Sequence, residues 1–217
     1  MDYIFIDEST INSDIYSEYI YMNNNSLSKP LCNDIIELYH SDDNKYDGIT
    51  KFGVDKDIKD TTDLIITDEI KWIKIKRALQ KELIDNLQIY LKKLNDKDDF
   101  LNTGQHTNLK YKYFADFLNK IEIETYMIQR YIKNVGRFAY HDDSHIDYNK
   151  KKSRIITFLW YLNDIHEGGE TVFSGKYAVK PTTGKLVLFP ASWTYPHCGK
   201  IPISSDKYIL TGWVYIK

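Results

Sequence analysis

The apolar residues of this chain change their spacing near Lys120, and that change limits what it can fold into. Before it, Trp72, Ile75, Leu79, Leu83, Leu87, Tyr90 and Leu94 step by three and four. This lays one apolar stripe along a helix predicted over 71–94. After it, Ile121, Ile123, Thr125, Met127, Gln129 and Tyr131 alternate with Glu122, Glu124, Tyr126, Ile128, Arg130 and Ile132, which is the period of a β-strand. Further strands are predicted at 137–143, 154–162, 171–173, 177–179, 185–189 and 208–216. Gly136, Gly168-Gly169, Gly175, Pro181, Gly184 and Pro190 punctuate them. Many short strands with turn residues between them make a sandwich or barrel. The expected fold class is α+β: a double-stranded β-helix, or jelly roll, with N-terminal helices packed against one sheet. The 217 residues fit a single domain, with residues 1–120 mainly helical and 121–217 forming the jelly-roll core.

Within the first 120 residues, Ser28-Lys29-Pro30 reads as a helix start, with serine as N-cap and proline in the first turn. Leu31, Ile35, Leu38 and Tyr39 follow at helical spacing. A shorter helix is predicted over 111–118. The stretch 41–63 reads as loops with at most one short strand, and residues 1–27 are polar and weakly patterned.

The charge balance, 29 Lys and Arg against 31 Asp and Glu, gives no basic field of the kind non-specific nucleic-acid binding needs. A nucleic-acid partner is therefore not indicated. The two cysteines, Cys32 and Cys198, build no disulfide framework, which points to a reducing cytoplasm. The N-terminus lacks a basic stretch followed by an apolar one, so no signal peptide is expected. No apolar run approaches the ~18 residues of a membrane span.

The chemistry concentrates between Gln129 and Trp213. His141-Asp142-Asp143 and His145-Ile146-Asp147 each place a histidine and a carboxylate two residues apart, on one face of a strand. Either triplet alone can be a polar loop end. His197 follows an apolar strand far downstream and can close a triangle with one of them. Two imidazoles and a carboxylate hold one face of a ferrous ion and leave the other positions open. Lys207, ten residues past His197, can hold an acid beside such a metal.

The order of motifs adds to this. Tyr131 precedes His141-x-Asp143, and Arg154 stands seven before Tyr161 in Tyr161-Leu162-Asn163-Asp164. Then come Glu167-Gly168-Gly169-Glu170-Thr171-x-Phe173, Pro181-x-x-Gly184, Phe189-Pro190, His197 and Lys207-Tyr208…Trp213. This span, about 40% of the chain, resembles the Fe(II)/2-oxoglutarate-dependent dioxygenases, and most closely their prolyl 4-hydroxylase-like branch.

The resemblance implies a metal held by His141, Asp143 and His197, because the strand from Tyr131 through Gly136 to His141 has the family's usual length. His145 and Asp147 are the alternative pair, since Asp147 stands seven before Arg154, a spacing some relatives show. By the same resemblance Lys207 pairs with the far carboxylate of 2-oxoglutarate, and Tyr131 and Tyr161 give it hydroxyl donors. Thr211 shares the strand face of Lys207 and joins them. Arg154 is placed either at the substrate mouth or in an outward ion pair. Gly168-Gly169 reads as a turn without a chemical role.

The implied activity is hydroxylation of an unactivated C–H, with a prolyl residue in a peptide as the candidate target. Succinate and CO2 are released, and ascorbate serves as reductant. No side chain need act as acid or base. The competing readings are an oxygenase of a nucleobase or small metabolite, a catalytically silent jelly-roll binding module, and a zinc hydrolase.

Overall fold

The computed structural model describes residues 3–6, 19–96 and 117–217. In chain order the elements begin with β1 (Ile4–Phe5), β2 (Tyr21–Asn23), α1 (Lys29–Ser41), β3 (Tyr46–Asp47) and β4 (Ile49–Thr50). Next come β5 (Gly53–Val54), β6 (Lys59–Asp60), β7 (Thr62–Ile65), α2 (Ile70–Asp96) and α3 (Phe117–Lys120). The strand-rich part continues with β8 (Ile121–Ile123), β9 (Met127–Tyr131), β10 (Arg137–His141), β11 (Ile146–Asp147) and β12 (Lys152–Tyr161). It ends with β13 (Thr171–Phe173), β14 (Tyr177–Val179), β15 (Leu186–Pro190), β16 (His197–Gly199) and β17 (Lys207–Ile216).

Two sheets face each other as a jelly roll. One runs β1-β14-β13-β16-β10-β6. The other runs β2-β15-β12-β17-β9-β7-β3, with β11 added to β12 and β8 added to β17. Apart from the parallel β1–β14 contact, the pairings are antiparallel. The period-two pattern explains what lies between and behind the sheets. On β12, Ile156, Phe158 and Trp160 turn outward, into a core shared with Cys32, Ile35 and Tyr39 of α1 and Trp72, Leu79, Leu83 and Leu87 of α2. Leu159 and Tyr161, from the same strand, turn inward with Phe173, Phe189 and Ile209. Each of the fully buried leucines on α2 contributes about 1.5–3 kcal/mol, and together they fix that helix to the long sheet.

Polar contacts set where the helices sit. Ser28 caps α1, its hydroxyl accepting from the Leu31 N–H at 3.4 Å. Asp42, just past the end of α1, is 2% exposed and accepts from Trp72 Nε1 at 2.9 Å. Burial pushes its carboxyl up, but hydrogen bonds from Asn44, Lys71 and Trp72 outweigh that and hold it well below the usual carboxylate range.

Several local expectations are corrected. The 41–63 stretch holds β3, β4, β5 and β6, and β7 begins at Thr62. β3 to β6 are two residues long, too short to show a period, and β3 and β6 form because β7 and β10 pair with them. The weakly patterned start supplies β1 and β2, each added to a sheet edge. The strand expected as continuous over 121–132 is broken into β8 and β9, both paired with β17. The break lies opposite Gly212, where an added Cβ would stand 2.1 Å from Thr125 O and 2.4 Å from Phe158 Cζ. Only a residue without a side chain lets that carbonyl and ring approach. The helix predicted over 111–118 falls mostly outside the described residues. Residues 1–120 thus contribute strands to both sheets as well as two long helices. No helix among the described residues is long and apolar enough to cross a membrane.

Candidate functional site: a metal centre with a buried ammonium

His141 ends β10 and His197 begins β16, and the two are directly paired across the antiparallel ladder. That register brings imidazoles far apart in sequence to a centroid separation of 4.3 Å. Asp143 follows two residues after His141, so its side chain returns to the same side. Ligand atoms of His141, Asp143 and His197 all lie within 4.8 Å of one another. His197 Nε2 is 3.6 Å from Asp143 Oδ2, and His141 Nε2 is 4.0 Å from Asp143 Oδ1.

The surroundings prepare these groups as ligands. His141 Nδ1 donates to Ala139 O at 2.8 Å and His197 Nδ1 to Tyr195 O at 3.1 Å. A carbonyl only accepts, so each Nδ1 carries the proton and each Nε2 lone pair faces Asp143. Phe138 stacks on the His141 ring at 3.6 Å and 13°, and Phe189 meets the His197 ring edge-on at 4.9 Å. Burial and the neighbouring His197 push the His141 imidazole down to about 4. Burial raises the Asp143 carboxyl, but His197, His141 and the Thr157 hydroxyl outweigh it and lower it. At neutral pH, then, His141 is neutral and Asp143 is anionic, the forms that bind a divalent metal.

The second candidate pair is not assembled. His145 is exposed. Asp147 Oδ1 accepts from the Asn149 and Lys150 N–H groups at 3.1 and 3.0 Å, closing its own turn.

The cavity beside the three ligands is lined in part by Gln129, Tyr131, Thr171, Lys207, Thr211 and Trp213. Lys207 opens β17 opposite Tyr131, is 1% exposed, and places Nζ 3.8 Å from the Tyr131 ring centroid. Its ammonium donates to Gly169 O at 3.0 Å, and among the described residues no carboxylate pairs with it. Burial pushes it down to about 7, with Glu170 pulling the other way. A buried ammonium without an anion is costly, and a ligand carboxylate is the group that would relieve it. Trp213 Nε1, on the same wall, is buried and has no hydrogen-bond partner among the described residues.

The hydroxyls are arranged differently from the sequence-based expectation. Tyr131 OH donates to Gln129 Oε1 at 3.2 Å. Tyr161, fully buried, stands behind the cavity wall and donates to Thr171 Oγ1 at 2.7 Å, so Thr171 is the hydroxyl at the surface of the cavity. Thr211 faces inward but commits its proton to Phe158 O at 2.8 Å. Among the described residues Arg154 has no ion-pair partner. It stacks 3.5 Å above the Trp213 ring and donates to Tyr215 OH at 2.9 Å.

Three contributors were missed by the sequence reading. Thr171 sits within Glu167-Gly168-Gly169-Glu170-Thr171-x-Phe173, where spacing gives no sign that its hydroxyl reaches the cavity. Thr157 donates to Asp143 Oδ2 at 2.7 Å, and its inward phase on β12 was the available signal. The Gly168-Gly169 turn does more than reverse the chain, because its carbonyl meets the Lys207 ammonium. Gly168 and Gly169 have φ of +71° and +75°, and a Cβ on Gly168 would stand 2.4 Å from Ile201 O. That backbone is open only to glycine.

Thr157→Val keeps shape and removes the donor. It is expected to weaken Mn(II) binding by about tenfold, as loss of an outer-shell partner does. Titration of the metal into wild type and variant checks this.

Residues 126–215 match the family model described as the 2OG-Fe(II) oxygenase superfamily. The chain has the fold of several solved prolyl hydroxylases. The viral collagen prolyl hydroxylase of Paramecium Bursaria Chlorella virus-1, solved with 2OG, superposes with a TM-score of 0.64 at 18% identity, covering 92% of this chain and 97% of that one. A Trichoplax adhaerens prolyl hydroxylase, solved with a hypoxia inducible factor oxygen degradation domain peptide fragment, gives 0.63 at 20% identity, covering 96% and 86%. A Pseudomonas putida prolyl-4-hydroxylase gives 0.64 at 16% identity, covering 92% and 93%. No curated protein sequence matches the chain. The superfamily and the His-Asp-His donor set together support Fe(II) and 2-oxoglutarate as the groups this cavity receives.

Proposed function

We propose that this protein is an Fe(II)- and 2-oxoglutarate-dependent dioxygenase that hydroxylates an unactivated C–H, with a prolyl residue in a peptide as its target. The observation that carries the reading is one cavity holding both a two-imidazole, one-carboxylate donor set and a buried ammonium that has no carboxylate partner among the described residues. His141, Asp143 and His197 would hold the iron. Lys207 and Thr171 would receive the far carboxylate of 2-oxoglutarate, with Tyr131 packed beneath the ammonium and Tyr161 behind Thr171. When bound, the metal and co-substrate supply oxygen activation, so that R–H, O2 and 2-oxoglutarate give R–OH, succinate and CO2.

The side chains of this chain position and shield. His141, Asp143 and His197 would hold the ion and would leave room on it for ligands other than the protein. Phe138, Phe189, Leu159 and Ile209 keep the surroundings apolar and limit water. The reaction as proposed needs no side chain to exchange a proton with substrate. The Trp213 indole, with Arg154 on its face, offers a flat wall against which a prolyl ring packs. The peptide class is favoured by the Trichoplax relative, which was solved with a peptide. Ascorbate is proposed as the reductant that keeps the iron ferrous. The whole chain is proposed to act as one unit, since strands from its first half complete both sheets.

The test is succinate release on adding Fe(II), 2-oxoglutarate and ascorbate, with mass spectrometry of prolyl peptides for a 16-dalton gain. Succinate release in air but not without oxygen is expected. Activity that persists without oxygen would sink the dioxygenase reading in favour of a hydrolase.

A further inference from the structure

Two backbone groups bracket Lys207, and one side chain holds both. Asn163 Nδ2 donates to the Asp206 carbonyl at 2.8 Å, and Asn163 Oδ1 accepts from the Tyr208 N–H at 2.9 Å. β12 has already ended at Tyr161, and the last backbone contact of this edge is the Leu162 N–H to Tyr208 O at 2.9 Å. The Asn163 amide, which mimics a peptide group, therefore continues the ladder after the main chain has left the sheet. Asp206 is gripped from the other side. Arg130 Nε and Nη2 donate to its Oδ2 at 2.9 and 2.6 Å, and the Lys133 N–H donates to its Oδ1 at 2.8 Å.

Lys207 is the first residue of β17, the end at which a strand frays most readily. Its ammonium is desolvated, so a loosened strand end would let it withdraw toward water. Asn163, Arg130 and Asp206 do not line the cavity, and any influence they have on a ligand passes through Lys207. We infer that Asn163 is a positioning residue that clamps the backbone on both sides of Lys207 and so fixes the ammonium where the far carboxylate of 2-oxoglutarate meets it. This rests on the reading of the cavity as a 2-oxoglutarate site. It also gives a task to the asparagine of Tyr161-Leu162-Asn163-Asp164, which the metal and cavity do not explain.

The test measures calorimetric binding of 2-oxoglutarate, and separately of pyruvate, to the Mn(II)-loaded protein. Pyruvate shares the chelating 2-oxo acid end and lacks the far carboxylate. Asn163→Ala is expected to raise the dissociation constant for 2-oxoglutarate by about tenfold, the lower end of an outer-shell effect. Its Mn(II) and pyruvate affinities should match wild type. Arg130→Gln loosens Asp206 without touching Asn163. It should shift 2-oxoglutarate alone, in the same direction and by less, and it carries the test if Asn163→Ala does not fold. An equal loss for pyruvate and 2-oxoglutarate, or no loss for either, overturns the clamp and leaves the site reading standing. Failure of the Mn(II)-loaded wild type to bind 2-oxoglutarate at all overturns the site reading, and the clamp with it.

Discussion

Replacing His197 by alanine is expected to lower Fe(II) or Mn(II) affinity by more than about 100-fold, beyond what an outer-shell change produces. Replacing His145 should leave that affinity where it was. The contrast follows from strand register. His197 stands opposite His141 across the β10–β16 ladder, and its Nε2 is 3.6 Å from Asp143 Oδ2. No other histidine shares the donor cluster among the described residues. His145 lies beyond that ladder, exposed, and only its backbone carbonyl is used, accepting from the Arg154 N–H at 3.0 Å. Metal titration of the two alanine variants is a direct measurement. A normal affinity in His197→Ala, or a lost one in His145→Ala, would remove the assigned donor set.

Lys207→Met should weaken 2-oxoglutarate binding by about 3 kcal/mol, roughly 100-fold, the scale of losing one partner of a buried charge pair. It should also make the empty protein melt at a higher temperature at pH 7. Both effects have one cause. Burial lowers this ammonium from its ordinary 10.5 to about 7. Between those values the unfolded chain keeps a proton that the folded protein gives up. This group therefore makes the empty fold more stable as pH rises across that window and costs stability as pH falls through it. Methionine fills the space without a charge and removes that slope. A ligand carboxylate needs the ammonium form, so wild-type affinity for 2-oxoglutarate should decline above about pH 7, with proton uptake on binding. The variant should show neither trend. Melting curves at pH 7 and pH 9 and calorimetry in two buffers read both. An unchanged 2-oxoglutarate affinity in Lys207→Met would mean that the ammonium serves the fold and not a ligand.

Much of this was legible along the chain, where local pattern reports local structure. The three-and-four stripe from Trp72 to Leu94 is the buried face of α2. The alternation on β12 and β17 sorts Phe158 and Leu210 to the helices and Leu159 and Ile209 to the interior. The two-residue strands β3 to β6 were not legible, because they exist only where another strand pairs with them.

The sequence by itself determined the helix and strand faces, the donor types and the inward phase of Lys207, because side-chain direction along one element follows from period alone. Only the tertiary structure decided which His-x-Asp pair stands opposite His197. It also decided that Tyr161 spends its hydroxyl on Thr171 and that a glycine carbonyl meets the ammonium. Those relations join segments distant in the chain, and strand register, which carries no local signature, sets the distances between them.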